Sequence, residues 1–131
     1  MSIDSIGDFL TVIRNGVLAI KREVTVPYSR MKHQIADLLK SEGFIRDVSI
    51  TEDENKHKQL KLFLKYAEGE SVIHEITRIS TPGLRRYESA ESIKPVIGGL
   101  GVSILTTNRG LMTNKKARAL NIGGEVICTV W

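Results

Sequence analysis

The chain has 131 residues, of which 41% are hydrophobic and 26% charged, and a formal net charge of +4; this suits one ordinary globular domain or two small ones and excludes disordered and fibrous classes. No apolar run approaches the roughly 20 residues of a membrane-spanning helix, and the acids of the opening MSIDSIGDFLTVIRNG do not fit a secretory signal. The single cysteine, Cys128, cannot close an internal disulfide and sits in the apolar alternation EVICTVW as a small strand residue, so a cytoplasmic setting is expected.

In DSIGDFLTVIRNGVLA, Ile6, Phe9, Leu10, Ile13 and Val17 recur at helical spacing behind an N-cap at Asp4 or Ser5. EVTVP is a short strand ending at Pro27. SRMKHQIADLLKSEG repeats the helical pattern with Met31, Ile35, Leu38 and Leu39 on one face, Ser29 as N-cap and Gly43 as the stop. FIRDVSIT and QLKLFLKY alternate as strands about the polar turn EDENKHK and read as a hairpin. VIHEITRIS is a further strand, followed by TPGL, whose Pro82 and Gly83 suit the central positions of a type II turn. RRYES is a short strand, and AESIKPVIGGLGVSILTT passes through a glycine-rich bend into the strand Val102–Leu105. TNKKARALN is a short helix after Thr113, and GGEVICTVW is a closing strand. The expected architecture is α+β. An N-terminal α-β-α-β-β subdomain, residues 1–68, packs on a mostly β C-terminal subdomain with one short helix, residues 69–131.

Enzymatic chemistry finds little support. His33, His57 and His74 fall in a helix, a charged turn and a strand, with no spacing that recommends a shared metal. Acids gather in turns such as TEDEN, where solvation accounts for them, and Cys128 has no CxxC partner. GGLGVS at Gly98–Ser103 contains G-x-G, but its third position is Ile104. A strand follows it, where a dinucleotide fingerprint needs a helix N-terminus.

The charge distribution points elsewhere. Through residue 80, twelve cations balance twelve acids; beyond it, seven cations face three acids and account for the whole +4. Between Ser92 and Gly124 stand Lys94, Arg109, Lys115, Lys116 and Arg118 and no acid. Such an excess favours a polyanionic partner, because each cation set on a phosphate releases condensed counterions. Thr106, Thr107 and Asn108 offer short donors and acceptors on a loop after a strand, beside Arg109, and Gly110 lets the backbone approach a partner closely. Lys115 and Lys116 occupy a first helical turn, where the dipole prefers acids, so an anion brought by a partner would suit them. Arg30 and Lys32 stand beside Ser29 in the first turn of the second helix, and Arg85, Arg86 and Tyr87 follow a tight turn. Guanidinium groups fork across phosphate oxygens, and a ring packs on a base or sugar. Ordinary capped turns with solvated lysines, and a half-buried strand position for Tyr87, fit the same residues. With aromatics at only 5%, folded RNA read through phosphates, 2′-hydroxyls and shape fits better than a single-strand stacking platform.

DSIGDFLTVIRNG, PYSRMKHQIADLLKSEGFI, STPGLRRY, IGGLGVSILTTNRGLMT and NIGGEVICTVW, in that order from Asp4 to Trp131, resemble the bacterial small-subunit ribosomal protein S8 family. The resemblance implies a two-domain α+β protein of the cytoplasmic ribosome, with no enzymatic activity and no cofactor. It implies direct binding to a helical element in the central domain of small-subunit ribosomal RNA, early in assembly and beside other small-subunit proteins. In some members it also implies repression of the message of their own operon. By resemblance, the RNA contacts fall on Thr106-Thr107-Asn108-Arg109-Gly110 and on Gly123-Gly124-Glu125, with phosphate contacts from Ser29, Arg30 and Lys32. The family loop reads Ser-Thr-Ser-x-Gly, and Thr106 and Asn108 replace its two serines. Asn114 and Lys116 stand where the family tends to have acids, which removes the reciprocal half of a capping box. Ser5 and Val12 replace a usual proline and a usual arginine.

Overall fold

A computed structural model describes residues 4–96 and 99–131, so Gly98 of the expected glycine bend lies outside the described residues. The chain divides into two compact units, one of residues 8–73 and one of residues 74–131 with residues 4–7.

Helix α1 (Ser5–Leu18) starts where Asp4 Oδ1 accepts a hydrogen bond from the Gly7 N–H at 3.0 Å. Ile6, Phe9, Leu10 and Ile13 are buried, as their spacing requires, whereas Val17 is half-buried. Strands β1 (Glu23–Pro27), β2 (Ile45–Glu52) and β3 (Lys58–Leu64) form an antiparallel sheet in the order β1-β3-β2. Val24 pairs with Leu62 and Val26 with Leu60 on the buried face. A register break between Ile45 and Asp47 leaves Arg46 as a bulge residue. Helix α2 (Arg30–Ser41) buries Ile35, Ala36 and Leu39, while Met31 and Leu38 are half-buried. Its cap is the expected one, with Ser29 Oγ accepting from the Lys32 N–H at 3.2 Å. In the β2–β3 turn, Asp53 Oδ1 accepts from the N–H groups of Asn55 and His57 at 2.9 and 2.8 Å. A small ribbon of β4 (Tyr66–Ala67) and β5 (Glu70–Ser71) lies across the expected subdomain boundary, and the unit runs on to Ile73.

In the other unit, β6 (Ile76–Arg78), β10 (Gly124–Val130), β8 (Val102–Thr107) and β9 (Gly110–Thr113) lie in that order in an antiparallel sheet. Strand β7 (Tyr87–Glu88) also pairs with β10, so β10 is central, with β6 and β7 along one edge. Helix α3 (Asn114–Ala119) covers one face, where Ile93, Leu105, Met112, Ala117 and Val126 form a core cluster. A bulge in β10 falls between Val126 and Cys128, and the Ile127 carbonyl accepts from the Ile79 N–H and from Arg78 Nη1. Cys128 is fully buried, and desolvation pushes its thiol up to about 12 despite the opposing charge of Arg78. Only Ile76–Arg78 of VIHEITRIS is strand; the N–H groups of His74 and Glu75 donate to the Trp131 carbonyl, and the His74 ring stacks on Trp131. Gly83 is not at positive φ, so the Pro82–Gly83 turn is not type II. It is held instead by reciprocal backbone bonds between Thr81 and Leu84 and by the Thr81 hydroxyl, which accepts from the Leu84 N–H.

The three helices of the described residues close alike, with paired backbone bonds of the Schellman type. Lys21 donates to Gly16 and Ile20 to Val17, Phe44 to Leu39 and Gly43 to Lys40, Ile122 to Ala117 and Asn121 to Arg118. This closure places a left-handed residue just past each helix. Gly43 (φ +83) and Asn121 (φ 57) suit the position, whereas the β-branched Ile20 (φ 54) does not.

Candidate nucleic-acid interface

The β8–β9 hairpin sets the geometry of the candidate surface. Thr107 pairs with Gly110, so Asn108 and Arg109 alone form the turn, and Thr106 and Thr107, expected on a loop, belong to β8. The turn closes because Gly110 takes φ +100. It is braced by Thr107 Oγ1, which accepts from the Arg109 N–H at 3.1 Å and donates to the Gly110 carbonyl at 2.8 Å. Asn108 and Arg109 are exposed at the tip.

Directly opposed residues of a sheet share a face. Glu125 is opposed by Tyr87 on one side and Thr106 on the other, and Thr106 by Leu111. These four therefore make a row across β7, β10, β8 and β9, on the face away from the Leu105–Met112–Val126 cluster. Tyr87 is 71% exposed rather than half-buried. The segments 106–110 and 123–125, far apart in sequence, are thus neighbours. Their approach depends on glycine: a Cβ on Gly124 would overlap the Thr106 carbonyl oxygen, and one on Gly123 the Glu88 carbonyl oxygen.

Glu125 is the charged centre of the row. Ser80 Oγ and Arg85 Nη1 both donate to its Oε2, at 2.5 and 3.0 Å. Among the described residues no group donates to Oε1. Desolvation pushes the Glu125 carboxyl up, but the hydrogen bonds from Ser80 and Arg85 and the charges of Arg85 and Arg78 outweigh it and hold the pKa below the ordinary value. The group is an anion at neutral pH with one oxygen turned to acceptor duty. Ser80 is fully buried and also accepts from the Arg86 N–H at 3.1 Å. Its role escaped the sequence reading, although a hydroxyl just before a Pro-Gly turn was a signal for it. Arg85 and Arg86 are exposed, and Arg85 keeps most of its five N–H donors for another partner.

Helix α3 is capped despite its cationic start, since Thr113 Oγ1 accepts from the Lys116 N–H at 3.3 Å. Asn114 is buried, its Oδ1 accepting from the Ser103 N–H at 3.1 Å and its Nδ2 donating to the Lys94 carbonyl at 3.3 Å. An acid could supply the first bond but, ionised, not the second. Lys115, Lys116 and Arg118 are exposed. The start of α3 and the hairpin tip lie at opposite ends of β9, about 10 Å apart along the strand. The start of α3 lines a small cavity with Ile93, Lys94 and Pro95, and the hairpin tip is not part of its wall.

Ser29, Arg30 and Lys32 belong to the unit of residues 8–73. Arg30 is exposed, and the Ser29 hydroxyl is engaged in the α2 cap. Lys32 is placed differently from expectation: it is only 9% exposed, and its ammonium group donates to the Pro27 carbonyl at 3.4 Å. Its charge is thereby tied to the corner between β1 and α2. Among the described residues no group of three or more His, Cys, Asp or Glu could hold a metal ion. Among the described residues no helix is long and apolar enough to cross a membrane.

A family profile described as ribosomal protein S8 matches residues 4–131. The chain is 50% identical over 129 residues to small ribosomal subunit protein uS8 of Lactobacillus johnsonii, covering 98% of this chain and 97% of the relative. It is 50% identical over 128 residues to the uS8 protein of Pseudomonas aeruginosa, with 98% and 97% covered. The uS8 protein of Leuconostoc citreum is 51% identical over 129 residues, again with 98% and 97% covered.

Proposed function

This chain belongs to the ribosomal protein S8 family, and from that premise we propose that it binds small-subunit ribosomal RNA directly through the β7–β10–β8–β9 face. Family membership gives it a structural role in the ribosome rather than a catalytic one. The observation that carries the reading is the pairing of Glu125 with Thr106, which sets 123–125 beside 106–110 on one exposed sheet face. Arg109 at the hairpin tip, Arg85 and Arg86 beyond the Thr81–Leu84 turn, and Lys115 on α3 hold phosphates and set register. Arg30 adds a phosphate contact from the other unit. Glu125 Oε1 accepts from a 2′-hydroxyl or a base amino group, Asn108 offers an amide donor and acceptor, and Tyr87 packs on a sugar or base. Thr107, Ser80, Gly123 and Gly124 hold these groups in place. The target is a helical element of the central domain, bound in the cytoplasmic ribosome beside other small-subunit proteins. A like fold in the message of its own operon would be bound by the same face.

A hydroxyl-radical footprint on naked small-subunit ribosomal RNA tests the reading. Protection of one discrete helical site is expected, and protection of none overturns it. In the same assay Lys115→Ala weakens binding and lowers the salt slope by about 1, the loss of one phosphate contact. An unchanged slope removes Lys115 from the interface.

A further inference from the structure

Ile20 presents an unexplained cost in the unit of residues 8–73. It holds the left-handed position past α1 at φ 54, yet its side chain is 74% exposed and returns little to the core; Leu18, in the last turn, is 75% exposed. The same closure is made without strain by Gly43 and Asn121. Beside Ile20 lies a groove of about 520 Å³ lined by Ile20, Arg22, Arg46, Leu64, Lys65 and Tyr66. Half of that lining is cationic and none of it acidic. Among the described residues none of the three cations is within ion-pair distance of a carboxylate. Arg46 is the bulge residue of β2, with its guanidinium 5.7 Å from the centroid of the Phe63 ring. The Tyr66 hydroxyl donates to the Lys21 carbonyl at 2.6 Å and anchors one wall to the chain leaving α1.

We propose that this groove is the docking surface for an acidic protein segment with an apolar anchor. Carboxylates of the segment meet Arg22, Arg46 and Lys65, and the anchor packs on Ile20 and Leu64. An apolar centre inside a charged rim is the anatomy of a protein–protein contact. RNA phosphates could meet the same cations, but the exposed Ile20 side chain offers a nucleotide neither a stacking surface nor a hydrogen bond. A strained residue kept at a surface is explained by what it contacts there. None of these residues belongs to the RNA face proposed above, so this surface goes beyond that reading and does not depend on it.

The test is a titration of the ¹⁵N-labelled full chain with three probes: a short acidic peptide with a central Leu-Leu pair, polyglutamate of equal length, and a single-stranded RNA oligonucleotide of equal charge. The Leu-Leu peptide should shift the amides of residues 20, 22, 46 and 65, with much weaker effects from the other two. Ile20→Gly should weaken the peptide about tenfold while raising Tm by about 3 °C through relief of the backbone. Combined Arg46→Glu and Lys65→Glu should abolish binding. Shifts produced by the RNA but not the peptide would assign the surface to nucleic acid and overturn the proposal. Equal binding of polyglutamate would reduce it to unspecific attraction. The absence of shifts with any probe, or an Ile20→Gly chain that binds unchanged or melts lower, would also overturn it.

Discussion

Glu125 and Asp4 are the two carboxylates through which this sheet senses acid. Partial burial raises the pKa of each, but hydrogen bonds and arginine charge more than compensate: Ser80 and Arg85 for Glu125, and Arg78 with the Gly7 N–H for Asp4. Both folded values are therefore depressed below the ordinary 4.5 and 3.8. A depressed folded pKa contributes stability that is fully present above the unfolded value and is lost as pH falls through the folded one. Thermal melts should accordingly be level from neutral pH to about pH 5 and decline below it. In Glu125→Gln the decline should be shallower, because its contribution is gone at every pH while those of Asp4 and Asp47 remain. Identical acid limbs in the parent and the variant would show that Glu125 gains nothing from Ser80 and Arg85. In the RNA-binding reading proposed above the same residue serves recognition, because the bonds that depress its pKa occupy Oε2 and leave Oε1 without a donor among the described residues.

Elements with a strong local period were legible in the sequence. β1 was read at its observed bounds, as were the Ser29 cap, the start of the short helix after Thr113 and the Gly43 stop. β9 was missed because GLMT is a four-residue strand joined by an Asn-Arg turn, without the Asn-Gly pair that announces a tight hairpin. The candidate site was legible as two linear segments, but what fixes their geometry was not. Ser80 meets Glu125 across 45 residues, and Asn114 meets Ser103 across 11, so no local pattern distinguishes these side chains from solvated ones. Asn114 gives the element-scale prediction. Asn114→Ala leaves the Ser103 N–H and the Lys94 carbonyl without their side-chain partner and should cost about 2 kcal/mol in urea unfolding. Asn114→Asp restores only an acceptor and should recover part of that loss at most. A neutral Asn114→Ala would show that these bonds are replaced without cost.

Across the whole molecule, the +4 net charge arises entirely from the second half, whose cations stand mostly exposed around one sheet. Cys128, at the buried centre of that sheet with its thiol held up at about 12, makes a reporter of its integrity. A disulfide reagent at neutral pH should modify it only as fast as the unit opens, and added denaturant should accelerate labelling in step with unfolding. Fast labelling of the native chain would show that the sheet breathes locally. The central place of β10 also has a temporal meaning. β6, β7 and β8 are all synthesised before the strand that joins them. A nascent chain halted before Gly124 already carries Arg85, Arg86, Arg109 and Lys115, yet its strands have no common partner. On the RNA-binding reading proposed above, translation completes this surface late and all at once, and an interrupted product keeps the positive charge without the surface that would aim it.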